Sequence, residues 1–240
     1  SCNRKKVTSL YFGGGTPALV ANRIKEIIDA LNEHFEITEG IGLELHPDNV
    51  NIPTLQMLKE AGITKISIGI QSFSDKYQKI LGRHQIDLKA DIDQAFELGA
   101  NHVAIYPFID FTFTTSQVSA LPKKEKRKLL DQITNYCLDQ GFYRSSIWTF
   151  SSHEQAQYSS MTRDNFLGFG CSATTLLKDQ FKINTFDIAS YCQRIQERKL
   201  ATSLTIRFTL RQRHFKICMV LNCGLLKNLA SSQNKMIYTK

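Results

Sequence analysis

Val7-Thr8-Ser9-Leu10-Tyr11-Phe12-Gly13-Gly14-Gly15-Thr16-Pro17 is the stretch on which the fold turns. Its first six residues are mainly β-branched, aliphatic and aromatic, and they read as a buried strand. Three glycines then let the backbone make a tight turn, and Pro17 presets φ for the helix that follows. From Asn22 to Phe35, the residues Ile24, Ile27, Ile28, Leu31 and Phe35 fall on one helical face. A strand that turns directly into an amphipathic helix opens a βα unit, and the chain repeats the pattern. Further strands are expected at Ile41 to Leu45, Lys65 to Ile70, His102 to Ile109 and Tyr143 to Phe150. Helices are expected at Ile52 to Ala61, Asp87 to Leu98 and Lys123 to Gln140, stopped by Gly62, Gly99 and Gly141. Such crossovers imply an α/β fold with a parallel sheet. Periodicity alone leaves open whether it is a doubly wound sheet or part of a β/α barrel. No G-x-G-x-x-G opens the first helix, so the dinucleotide-binding version has no support.

The composition excludes several classes. With 42% hydrophobic and 22% charged residues among 240, the chain is globular rather than disordered. No apolar run approaches the roughly 20 residues that span a bilayer, so no membrane partner is expected. The net charge of +8 is concentrated at one end. Residues 211–240 carry six of the 30 Lys/Arg and no Asp/Glu, which leaves 24 basic against 22 acidic residues before them. A near-neutral body with a basic tail implies no nucleic-acid partner. The opening at Ser1, without an initiator Met or a signal peptide, reads as a cut through a longer cytoplasmic protein. The six cysteines are scattered, with no C-x-x-C pair. They read as free thiols, and no metal site is assigned to them.

In parallel β/α folds, ligands gather at the C-terminal ends of strands. Gly13-Gly14-Gly15-Thr16 stands there after the first strand, offering backbone amides and carbonyls without Cβ interference. Glu44 and His46 stand at the end of the second strand. The carboxylate suits sugar hydroxyls or an amine, or else pairs with a cation inside the sheet; His46 reads as a hydrogen-bonded structural histidine. Gln71 ends the third strand and suits ribose or adenine edges, and Arg83 beyond it suits a carboxylate. Together they describe a pocket for a zwitterionic, ribose-bearing ligand.

Taken in order, four segments resemble one known family. They are Tyr11-Phe12-Gly13-Gly14-Gly15-Thr16-Pro17, Glu44-Leu45-His46-Pro47, Lys65 to Phe73, and Leu81-Gly82-Arg83. The chain is similar to radical S-adenosylmethionine (SAM) enzymes of the oxygen-independent coproporphyrinogen III oxidase group. Phe166 to Ala173 resembles that group's later G-x-G-x-S-A segment. The resemblance implies a partial β/α barrel of parallel strands over residues 1–150, a post-barrel segment over 151–212 and a divergent, poorly packed basic tail over 213–240. It also implies a SAM cofactor beside a [4Fe–4S] cluster, a tetrapyrrole substrate, and an electron donor such as a flavodoxin or ferredoxin. By position, Gly14, Gly15, Thr16, Glu44, Gln71 and Arg83 match the group's SAM contacts.

The chain departs from the group at three places. The group's C-x3-C-x2-C cluster motif lies well upstream of the glycine loop and is not found here, so the cluster ligands are expected upstream of this chain; Cys2 lies too near Gly13 to be the last of them. Tyr106-Pro107-Phe108-Ile109-Asp110-Phe111 replaces the usual D-L-I-Y-G-L-P, and Thr174 replaces a later Ile. The readings carried forward are a fragment of a porphyrin-pathway oxidoreductase, a haem-binding or haem-trafficking relative, and a cofactor-less β/α interaction module.

Overall fold

The computed structural model describes residues 4–70, 88–105, 121–145, 148–154 and 165–209. The chain divides into two units, Ser1–Ile86 and Asp87–Lys240.

In the first unit, strand β1 (Lys5–Val7) is followed by β2 (Leu10–Phe12), helix α1 (Ala21–Asn32), β3 (Phe35–Ile37) and β4 (Ile41–Leu45). Helix α2 (Ile52–Glu60) and strand β5 (Lys65–Ile68) complete the described elements. The expected first strand is therefore two. β2, β4 and β5 form one parallel sheet with β4 in the centre, while β1 pairs with β3 in a separate parallel ribbon. The second ribbon exists because α1 ends at Asn32, a turn earlier than its apolar spacing suggests. Phe35 leaves the helix and starts β3. Gly40, with φ of +124°, then turns the chain into β4, and the Thr64 hydroxyl occupies the space a Cβ would need there.

The core of this unit lies between the sheet and its two helices. Ile24 and Ile28 of α1, Leu58 of α2, and Ile41, Leu43 and Leu45 of β4 are buried, with Leu10 and Phe12 packed against them. α2 starts where the Asn51 side chain accepts a hydrogen bond from the Thr54 amide (3.0 Å), and Pro53 sits in its first turn.

The second unit contains helix α3 (Leu88–Glu97), strand β6 (His102–Ala104), helix α4 (Lys123–Asp139), and strands β7 (Tyr143–Arg144) and β8 (Thr149–Ser151). Strands β9 (Thr174–Leu177) and β10 (Gln180–Asn184), helix α5 (Ile188–Gln196) and strand β11 (Thr202–Arg207) follow. One expectation is corrected here. Tyr143 to Phe150 is not a single parallel strand. The chain reverses after Arg144, and β8 pairs antiparallel with both β7 and β6. The reversal is built by Ser145: its amide donates to the Thr149 carbonyl (3.0 Å), and its hydroxyl lies 2.8 Å from the Thr149 hydroxyl. Serines compete for local hydrogen bonds in this way, and Ser145-Ser146 interrupts an otherwise strand-like run.

Ile92, Ile133, Cys137 and Phe150 form the core beside this sheet, and the Phe96 and Phe142 rings stack with centroids 3.6 Å apart. Burial, aided by the Asp93 carboxylate, pushes the Cys137 thiol up to about 11. β9, β10 and β11 form a separate antiparallel sheet within the stretch expected to follow the barrel. The architecture is thus mixed α/β with parallel sheets in the first unit and antiparallel ones in the second. Among the described residues no helix is long and apolar enough to cross a membrane. The expectations for Gln71, Arg83, Tyr106 to Phe111 and the tail after Arg213 lie outside the described residues.

His102 supplies a test of the second unit. Its ring lies 3.4 Å from the Ser145 hydroxyl, and burial holds it below its ordinary value of 6.5. The unfolded chain therefore takes up this proton first as pH falls, and stability declines below about pH 6.5. Urea midpoints measured between pH 7.5 and 5.5 should fall in the wild type and fall less in His102→Gln.

Candidate functional site

The alternation of β4 decides which groups meet. Leu43 and Leu45 point into the helix-covered core, so Glu44 faces the other way. The parallel register pairs Tyr11 with Gly42 and Glu44 with Ser67. Tyr11 therefore shares the Glu44 face, and the residue opposite it has no side chain. The Tyr11 hydroxyl donates to Glu44 Oε1 at 2.7 Å. Glu44 is half-buried, and its bonded partner among the described residues is a phenol rather than the cation considered from sequence.

Beyond Phe12 the glycine loop passes over this pair. A Cβ added to Gly13 would lie 2.8 Å from Tyr11 Cε1 and 3.1 Å from Glu44 Oε1. Real side chains do not approach that closely, so only glycine lets the backbone come this near the carboxylate. Gly14 takes φ of +96°, in the left-handed region. Added Cβ atoms at Gly14 and Gly15 would meet nothing within 4 Å, which leaves the loop open above. The Thr16 carbonyl accepts from the Leu19 amide (3.1 Å), closing a short 3-10 turn (Pro17–Val20) that leads into α1.

The structure thus brings Gly14, Gly15, Thr16 and Glu44 to the C-terminal ends of neighbouring parallel strands. Gln71 and Arg83 lie outside the described residues. His46 is structural: its Nδ1 accepts from the Asp48 amide (3.3 Å) and caps a short turn. Tyr11 is the member that sequence reasoning missed. The available signal was its place two residues before Gly13, on the strand face opposite Leu10 and Phe12.

The second unit holds one further built loop. Asn184 Nδ2 donates to the Gly170 carbonyl (2.9 Å), and the Gly170 amide donates to the Tyr191 hydroxyl (2.9 Å). The Cys171 thiol donates to the Thr185 carbonyl (3.1 Å). Gly168 lies so close to the Thr174 backbone that a Cβ would collide with it. These contacts fix the Gly168 to Ala173 segment, and they engage Cys171 as a structural thiol.

The two cofactors implied by sequence fare differently against these residues. A loop open above and free of Cβ, with a carboxylate beneath it, fits a small ligand carrying ammonium or hydroxyl donors, as SAM does. The ligands expected for an iron–sulfur cluster lie upstream of the glycine loop and not among these residues: the described residues contain no group of three or more His, Cys, Asp or Glu side chains able to hold a metal. Cys137, Cys171 and Cys192 lie apart, on α4, in the loop before β9 and on α5.

Comparison with known proteins agrees with the ligand chemistry. Residues 1–105 match the radical SAM superfamily. Over this stretch the chain resembles a radical SAM domain. The chain is 24% identical over 253 aligned positions to the oxygen-independent coproporphyrinogen III oxidase of Cereibacter sphaeroides, spanning 81% of this chain and 56% of that protein. It is 29% identical over 103 residues to the heme chaperone HemW of Bacillus subtilis, spanning 40% of this chain and 27% of the relative. A further match is the oxygen-independent coproporphyrinogen III oxidase of Paracoccus denitrificans, 35% identical over 83 residues, or 33% of this chain and 18% of that one. The solved structure of coproporphyrinogen III oxidase (HemN) from Escherichia coli has the same fold, with a TM-score of 0.70 and 17% identity over 91% of this chain and 64% of that chain. The chain therefore spans less than two thirds of the length of each of these relatives.

The packing of the glycine loop makes a specific prediction. Gly13→Ala drives a methyl group into the Tyr11 ring and the Glu44 carboxylate, and overpacking of this kind costs about 1–3 kcal/mol. Gly15→Ala meets open space and should leave stability nearly unchanged. Urea denaturation of the two variants beside the wild type measures the difference.

Proposed function

We propose that this chain provides the SAM-binding part of a radical SAM oxidoreductase of the oxygen-independent coproporphyrinogen III oxidase kind, acting on a tetrapyrrole in porphyrin biosynthesis. The observation that carries the reading is the convergence of Gly13, Gly14, Gly15 and Thr16 with Glu44 at the C-terminal ends of β2 and β4. It falls within the residues that match the superfamily. In this reading the parallel strands of the first unit begin a partial β/α barrel. Gly14 and Gly15 offer backbone groups to the amino-acid end of SAM, and Glu44 accepts from an ammonium or ribose donor. Gln71 and Arg83 complete the pocket. Bound SAM supplies the one-electron chemistry from which the superfamily takes its name. The protein works in the cytoplasm with a small electron-transfer partner such as a flavodoxin or ferredoxin. No step is assigned to an iron–sulfur cluster on the described residues, because they offer it no ligand set.

A second reading, haem binding or haem delivery, is favoured by the relatives named heme chaperone HemW in Bacillus subtilis and Haemophilus influenzae. The two readings separate experimentally. A chemical-shift titration with SAM should give saturable perturbations at Gly14, Gly15 and Thr16, with affinity at least tenfold weaker in Glu44→Gln, a loss of about 1.4 kcal/mol or more. Equal affinity in the variant would remove Glu44 from the site. A haem titration giving a saturating Soret shift at one haem per chain, without SAM binding, would favour the second reading. Anaerobic incubation of the 240-residue chain with iron and sulfide should leave it colourless, because its cysteines are dispersed.

A further inference from the structure

We propose that Tyr11 is a positioning residue for the ligand: its phenol fixes the Glu44 carboxylate so that the second carboxylate oxygen is presented to a donor group of the molecule held by the glycine loop. The proposal rests on the SAM-binding reading above and assigns a role to a residue outside the predicted contact set.

Three observations carry it. The Tyr11 hydroxyl donates to Glu44 Oε1 at 2.7 Å, a charge-assisted bond that sets the orientation of the carboxylate plane. No described residue is bonded to the other oxygen, Oε2. Gly13 lets the ring and the carboxylate stack beneath the loop, with 2.8 Å from its would-be Cβ to the ring and 3.1 Å to Oε1. A glutamate has three side-chain torsions, and one left unheld at a strand end samples several rotamers. Ordering it when the ligand binds costs affinity. A phenol on the neighbouring strand meets that cost during folding, because Tyr11 is itself fixed by the sheet register with Gly42. The occupied oxygen also restricts the pocket to ligands that bring a donor to the remaining one. Ribose hydroxyls and an ammonium share this chemistry.

Tyr11→Phe keeps the ring and removes the donor, so the fold should persist, and an unchanged urea midpoint verifies this. Three probes are titrated into wild type and variant: SAM, 5′-methylthioadenosine with a ribose but no ammonium, and L-methionine with an ammonium but no ribose. The expected result is SAM binding weakened about three- to tenfold in Tyr11→Phe. One partial ligand should weaken alongside it while the other is unchanged; the one that weakens identifies the donor that meets Glu44. Equal weakening of both partial ligands, or of neither, overturns the proposal. If the wild type itself shows no SAM binding, the SAM-binding reading falls and takes this one with it. Wild-type binding with unaltered selectivity in Tyr11→Phe removes this one alone.

Discussion

The two-residue alternation along β4 is the constraint from which the first unit follows. Leu43 and Leu45 must reach the helices, and Leu43 is fully buried among them. Glu44, between them, is therefore turned to the opposite face. A register slip of one residue would put the carboxylate in the apolar core and two leucines in its place, at a desolvation cost of several kcal/mol. Hydrophobic burial on one face thus holds a charged group in position on the other. The parallel pairing carries this order sideways: Leu10 and Phe12 of β2 join the core, and Tyr11 joins Glu44.

How far the sequence could be read depended on how local the deciding interactions are. The strands at Leu10, Ile41 and Lys65 and the helices between them were legible because each is set by its own periodicity, and three helices of the chain also by a glycine stop. Gly62, Gly99 and Gly141 all take positive φ where helices end. The glycine loop and Glu44 were legible as strand-end features. The break between β1 and β2 was not, because it answers to Phe35 leaving a helix nearly 30 residues later. The hairpin at Ser145 was hidden because Trp148, Thr149 and Phe150 extend a strand-like composition across the turn. The partner of Glu44 was hidden for a related reason: register between strands about 30 residues apart fixes it, and no window along the chain contains both groups.

The same contrast holds for the antiparallel sheet of β9, β10 and β11. Its residues lack a strong period, and their placement depends on side chains that hold backbone at a distance in sequence. Asn184 reaches the Gly168 and Gly170 carbonyls, and the Tyr191 hydroxyl receives the Gly170 amide. The glycines at these positions read as a loop from sequence, whereas the anchors that shape the loop are ordinary polar residues. The fold extends across such regions without close sequence likeness: identity to the Escherichia coli structure is only 17%, yet the fold match covers 91% of the chain. Packing geometry persists where the residues that realise it have changed.

Cys137 gives the molecule an internal clock. It is fully buried in the core beside Phe150 and is held as a protonated thiol far above neutral pH. Alkylating reagents attack thiolates, so this sulfur is silent while that core stays closed. Cys192, exposed on α5, marks the opposite limit in the same chain. The ratio of their labelling rates reports how often the α3–α4 core opens, with no added probe and no change of sequence.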